Sequence, residues 1–544
     1  MKDFAWAFGK QGRRFCLAFP ILFICFAISA CKFGPDNYVS LSYDEAVKKV
    51  TFDGDVETVD FSNLNNHDIY LIKINTSGLV VPAEDTGGVM QAIPEIPSEE
   101  SIRIPYFPEN GYHRFRTAID EFNANPPPIE RDVRHRASMT TANYISYNVD
   151  DEKNFWVERT YDSDNWVNKS ATLLASGDHV NVWVINENTY SSGTSRNIIS
   201  IKQAEGLARH FDLIYPVATN LLGYEYGGGP DGDGGMDGDK KIQILIYDIV
   251  DGHGGVSAGG YFWSKDFYTQ KELDSYGLEY KTNLAEIFYI DASTVIYSPD
   301  YTYIALIHEF QHMINFNKKY VSHNLNSSTW YNEMLSVLAE DVIAPLIGIN
   351  HTNPGHPISV RIPRFLNSHY KYSITEWKSD NDSYAVLYAF GAYLLRNYGG
   401  PELLKMILDN DKIDIDSITM ALHEFSKDLD FEKALNRYGE AMIFSGSAMP
   451  ESGARGIDVF TFDRTVTSTV NGQEYTAYGF NIWHTYRYGT DETGPAVLSE
   501  SSTSMKPHSV IIHSTDEWKN ITGDFSITLE KPFNQDVIFY LMAR

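Results

Sequence analysis

Cysteine is nearly absent from this chain. Only Cys16, Cys25 and Cys31 occur in 544 residues. The first two fall inside an N-terminal apolar segment, so no disulfide framework holds the rest together even if the compartment is oxidising. Core burial, with bound ions as a further source, must stabilise it. Cations are also scarce, with 44 Lys and Arg against 72 Asp and Glu and a net charge of −28. Residues 1–30 carry Lys2, Lys10, Arg13 and Arg14 against Asp3, which leaves about −31 for the remainder. Such a surface repels phosphate backbones and anionic headgroups, which excludes nucleic acid as a partner and a basic patch as a membrane anchor. Long apolar runs are lacking beyond Phe15 to Ile28, which is short for a membrane span. The 43% hydrophobic and 14% aromatic content excludes wholesale disorder, and the length predicts roughly two to four domains.

The N-terminus reads as a targeting segment. Lys10, Arg13 and Arg14 precede the apolar run, which ends Ile28-Ser29-Ala30-Cys31. This resembles a bacterial lipobox, which implies cleavage of a signal peptide over 1–30 and lipidation of Cys31, with the chain exported to the cell envelope and held at a membrane by acyl chains.

The richest stretch is Ile307-His308-Glu309-Phe310-Gln311-His312. On a helix, i and i+4 share a face, so His308 and His312 can offer two imidazole nitrogens to one metal ion while Glu309 points to the neighbouring water. A catalytic zinc site takes three protein ligands and leaves one position open. Glu333 supplies the third, on a helical stretch whose Leu335, Leu338, Ala339 and Val342 recur at helical spacing. A polar loop from Lys318 to Ser328 would fold this second helix back over the first. Glu340, seven residues past Glu333 and on the same face, is placed to accept a ligand imidazole N–H. A near repeat at Leu422-His423-Glu424-Phe425-Ser426-Lys427 puts Lys427 at the second histidine position, where a cation cannot ligate zinc.

His-Glu-x-x-His followed by Asn-Glu about twenty residues later resembles the glutamate-zincins, the thermolysin-like clan of metallopeptidases. The fuller wording, His308 to Phe316 and then Trp330-Tyr331-Asn332-Glu333 with Ser336 and Ala339-Glu340-Asp341, resembles the hyicolysin family, over about Phe155 to Phe444. The resemblance implies an α+β multidomain protein. Its thermolysin-like catalytic domain, over 131–450, would have a β-rich N-lobe and a helical C-lobe, flanked by β domains. It also implies zinc held by His308, His312 and Glu333, with Glu309 as general base and protein or peptide substrates. Tyr384 and Tyr388, one turn apart on a predicted helix, are candidates for the oxyanion donor, with plain packing as the alternative. No Gly-x-Met-Glu-Asn segment of the aminopeptidase type occurs, which favours an endopeptidase. The alternative is an inactive surface-binding lipoprotein on a peptidase fold, against which the retained Glu309 argues.

The rest is read around that centre. Val59-Asp60-Phe61 and Ile69 to Ile74 predict strands of a small N-terminal β domain. The prolines between Pro94 and Pro128 predict a linker that closes this 31–130 region, with a removable propeptide as an open alternative. A helix is expected over about Ile201 to Leu222. The Gly227 to Asp239 loop places Asp231, Asp233, Asp237 and Asp239 where they can wrap Ca2+, or form a solvated turn. It departs from an EF-hand at Gly235 and lacks the twelfth-position glutamate. Gly255 to Gly259 spells G-x-S-x-G, but the loop-and-strand pattern after it is not that of a nucleophile elbow. Glu286 to Asp291 is expected at the floor or edge of the cleft, able to bind extended peptide. Leu346 to Ser379 reads as a long loop with surface histidines His351, His356 and His369, and residues 451–544 as a separate β-sandwich.

Overall fold

In the computed structural model, which describes residues 41–89, 111–129, 145–158, 166–188, 197–249, 259–446, 449–451 and 459–544, helices and sheets are mixed along the chain. The signal segment, Cys31, most of the proline-rich stretch and Ser257 lie outside the described residues. Val180–Ile185 and Ile242–Tyr247 are buried at every position, as strands covered on both faces must be. They sit in the middle of a six-stranded sheet, ordered Glu152–Glu158, Trp166–Ser176, Val180–Ile185, Ile242–Tyr247, Ile287–Asp291 and Gly260–Phe262. The two central pairings are parallel and the outer ones antiparallel.

That order corrects one expectation. Ile287–Asp291 has a neighbour on both sides, and the cleft edge is instead the short strand Gly260–Phe262. The apolar run Ile287 to Ile290 reflects burial on both faces, a property that periodicity does not separate from edge placement.

The helices that build the site are α1 (Gly111–Ala124), α2 (Ile201–Leu222), α3 (Pro299–Asn315), α4 (Thr329–Ile343), α5 (Pro357–Ser368) and α6 (Asn381–Asn397). Helix α2 spans the predicted residues and starts in a capping box, in which Ser200 and Gln203 satisfy each other's backbone N–H. Helix α3 begins with Pro299 at its first position and is buried on all sides from Ile304 to Asn315. It packs on α2 and α4, and α6 packs on α4 and α5. Past Asn315 the chain continues as a π-helical stretch over Phe316–Val321, so the polar connection starts later than the expected Lys318. Lys319 explains this. Its ammonium is buried, and it donates to the carbonyls of Ile407, Asn410 and Lys412 at 3.0, 2.7 and 2.7 Å. Burial pushes it down to about 7.

Two further expectations change. The N- and C-terminal β regions are not separate. Ile69–Asn75 runs between Val537–Ala543 and Val510–His513, and Ile521–Glu530 between Val56–His67 and Gly88–Val89. Ile69 to Ile74 was legible as an apolar run, but its partners lie more than four hundred residues away. The predicted loop after Leu346 contains α5, and two of its histidines are buried. His356 Nδ1 accepts from Ile358 N–H at 3.2 Å and caps α5, while His369 faces the carbonyls of Ala496 and Val510 at 2.9 and 3.2 Å.

Candidate metal centre

The i, i+4 spacing on α3 and the position of Glu333 one turn into α4 bring three side chains together. One ligand atom from each of His308, His312 and Glu333 lies within 4.8 Å of the others, and among the described residues no other such group of three or more occurs. Glu333 Oε2 is 3.0 Å from His308 Nε2 and 3.6 Å from His312 Nε2. That oxygen is buried without a hydrogen bond, which is costly unless a cation takes its lone pair. Two imidazoles and a carboxylate are the donor set that zinc accepts. Burial would raise the Glu333 carboxyl, but His312 and His308 hold it well below the usual carboxylate range.

Both imidazoles are oriented from behind. Glu340 Oε1 lies 2.6 Å from His308 Nδ1, which leaves Nε2 for a metal. Arg361 on α5 donates to both Glu340 oxygens at 3.2 Å. Ser336 Oγ lies 3.1 Å from His312 Nδ1 and hydrogen-bonds Gln311. Ser336 entered the sequence reading only as part of the family motif, with no role assigned, and Arg361 was not singled out. A role for Ser336 was within reach of that reading, since it lies one turn past Glu333. Arg361 was hidden by treating α5 as loop.

Glu309 is 5% exposed and its carboxyl is raised by burial, with His308 and His312 acting the other way. The edge strand lies in van der Waals reach of it, a Cβ at Gly260 falling 3.5 Å from Glu309 Cγ, and packs so tightly on its neighbour that the same Cβ would meet Tyr289 O at 2.4 Å. Only glycine allows that approach. Of the two tyrosines, Tyr384 borders the centre. Its ring is 5.9 Å from that of His308, and its hydroxyl accepts from Arg116 at 3.3 Å. Burial and Glu333 keep it protonated. Tyr388 corrects an expectation, since it is fully buried beside Asp341 and Arg396 rather than at the ligands. One helical turn moved it behind the wall that Tyr384 faces.

The Gly/Asp loop does not gather into a cation site. Asp233 accepts from Gly235 N–H at 3.2 Å, Asp237 from Asp239 N–H at 2.9 Å, and Asp239 from Lys241 N–H, Asn181 and Gln243. Asp231 is exposed. One oxygen each of Asp233 and Asp237 serves a loop turn, and Asp239 serves Lys241, Asn181 and Gln243. Asp237 Oδ2 is buried without a hydrogen bond, but among the described residues no group of three ligand atoms gathers around it, and Glu286 ties the loop to the sheet by accepting from Met236 N–H at 2.9 Å. The calcium expectation is therefore not supported.

A family profile described as Peptidase M30 matches residues 164–470, more than half of the chain. The chain belongs to the peptidase M30 family. A neutral metalloprotease, ShpI, of Staphylococcus hyicus is 26% identical over 352 residues, covering 61% of this chain and 70% of that protein. This M30 peptidase is thus a metalloendopeptidase, a hydrolase of peptide bonds whose substrates are proteins or peptides and whose family implies a metal ion, typically zinc.

Proposed function

We propose that this M30 peptidase is an exported, lipid-anchored zinc endopeptidase with a thermolysin-like catalytic unit, in which His308, His312 and Glu333 would hold the zinc and Glu309 is the general base. The observation that carries this is the orphaned Glu333 oxygen facing two imidazoles whose helix also presents Glu309. When bound, zinc polarises the scissile carbonyl and makes water nucleophilic near neutral pH. Glu309 accepts the proton of that water and delivers it to the leaving amine, and its buried position keeps its basicity above that of a solvated carboxylate. Tyr384, a neutral hydroxyl at working pH, donates to the developing oxyanion. Glu340 and Arg361 hold His308 in the tautomer that leaves Nε2 free. An extended peptide lies along Gly260–Phe262, where main-chain hydrogen bonds hold it with little demand on sequence.

Labelled casein is incubated with purified Lys32–Arg544 and with its Glu309→Gln variant, each checked for about one bound zinc. Cleavage by the first and not the second supports the mechanism, and equal cleavage by both removes Glu309 from it. Anchoring through Cys31 is tested separately. Cys31→Ser is expected to move the protein from the membrane fraction to the soluble one, and an unchanged fractionation counts against the lipid.

A further inference from the structure

The predicted linker contains an ordered helix, and that helix lies in the cleft. Arg116, Ile119, Asp120 and Asn123 of α1 line one wall of the cavity whose other walls include Glu309, His312 and Glu333. The space left, about 20 Å³, holds a water molecule or two and no peptide. The contacts are those that a substrate would need. Asn123 Nδ2 donates to Phe262 O at 2.9 Å, and its Oδ1 accepts from Ser264 N–H at 2.8 Å. A side-chain amide thus satisfies the outward donor and acceptor at the cleft edge in the manner of a peptide group. Arg116 lies 4.0 Å from Glu333 Oε1 and donates to Tyr384, the hydroxyl assigned to the oxyanion.

Apolar and aromatic anchors hold the segment there. Phe115 packs edge-on against Tyr261 and Trp263 at 5.0 and 5.9 Å, and Phe122 against Tyr268 and Tyr280 at 5.8 and 5.5 Å. Downstream, the carbonyls of Pro127 and Pro128 accept from Tyr320 and Tyr276 at 2.7 and 2.8 Å. The segment precedes residues 164–470, so it lies outside the part of the chain that the family profile matches. A helix keeps its carbonyls bonded within itself and presents no extended bond for hydrolysis. The cleft is therefore filled by something that it binds and does not cut.

We infer that α1 and the Pro126–Pro128 turn after it are an autoinhibitory plug, seated where substrate binds, and that hydrolysis requires their displacement. This rests on the peptidase reading above, so the test separates the two. Zinc-loaded Lys32–Arg544 is compared with the double variant Arg116→Ala/Asn123→Ala, and with Ile119→Asp as a second route to the same end. Zinc content and melting curves establish that each is folded. The readouts are affinity for a peptide hydroxamate, which needs only the metal and an open cleft, and the rate of casein cleavage. Loosening the plug raises the competent fraction, so hydroxamate affinity is expected to increase at least about tenfold, with the casein rate rising in parallel. If the folded variants bind hydroxamate no more tightly than the parent, the plug is refuted. If affinity rises and casein remains uncut, the plug stands and the peptidase reading falls.

Discussion

Two stretches of this chain carry metal-ligating side chains at suggestive spacing, the α3–α4 pair and the Gly227–Asp239 loop, and only the first brings them together. On α3 and α4 the backbone polar groups are satisfied within the helices, so His308, His312 and Glu333 project toward one another, with Glu333 Oε2 3.0 and 3.6 Å from the two imidazole Nε2 atoms. In the loop Asp233, Asp237 and Asp239 each turn an oxygen to a loop backbone N–H, and although Asp237 Oδ2 is buried and unpaired, among the described residues no group of three ligand atoms forms there. A ligand set is therefore built where secondary structure has already met its own hydrogen-bonding needs.

Substitutions widen or close that contrast. The largest effect is expected from Glu309→Gln in the plug-displaced background, where casein turnover should fall by roughly a thousandfold with zinc retained, the scale of a lost general base. Retained turnover would leave the α3 site as a metal site alone. Next, Glu333→Gln is expected to strip the zinc during dialysis against buffered zinc, while the loop double variant Asp233→Asn/Asp239→Asn keeps the parent's zinc content. Both are read by elemental analysis, and zinc loss from the loop variant would place a ligand where none is assigned. Glu340→Gln is expected to weaken zinc by about 10–100-fold in a chelator competition, because His308 loses the acceptor that fixes its tautomer. Wild-type affinity in this variant would make Glu340 a packing residue.

The smallest effect belongs to the loop. Burial pushes the Asp237 carboxyl up to about 7, so between its unfolded value near 4 and pH 7 the folded chain holds a proton that the unfolded chain has lost. Stability from this group consequently declines as pH rises through that window. Asp237→Asn should raise the melting temperature at about pH 8 and leave it unchanged near pH 3.5. Added calcium should shift neither protein, and a calcium-dependent rise in melting temperature would restore the cation reading.

Much of the centre was legible before any coordinates, because it rests on local rules. The i, i+4 histidines, the glutamate between them and the Glu333/Glu340 repeat are periodicities of single helices. Tyr384 was legible as one of a pair, and only the packing of α6 against α4 and α5 separates it from Tyr388, buried beside Asp341 and Arg396. Arg361, Ser336 and the α1 contacts had weaker signals. Prolines at 354, 357 and 363 suggested a loop where Pro357 in fact opens a helix. In the same way, the Pro126–Pro128 cluster drew attention from the amphipathic helix just before it.

The sequence by itself determined the chemistry on offer, namely two imidazoles and two carboxylates on adjoining helices, a chain without a disulfide framework and an acidic surface. Those follow from residue type, charge and helical period, which act within a few residues. Tertiary structure alone decided which strand forms the cleft edge, that the two terminal β regions share sheets, that the aspartate loop turns its carboxylates inward on itself and that α1 fills the cleft. These outcomes depend on contacts between residues far apart in the chain. Burial and backbone hydrogen-bond satisfaction choose among partners there, and no local pattern records the choice.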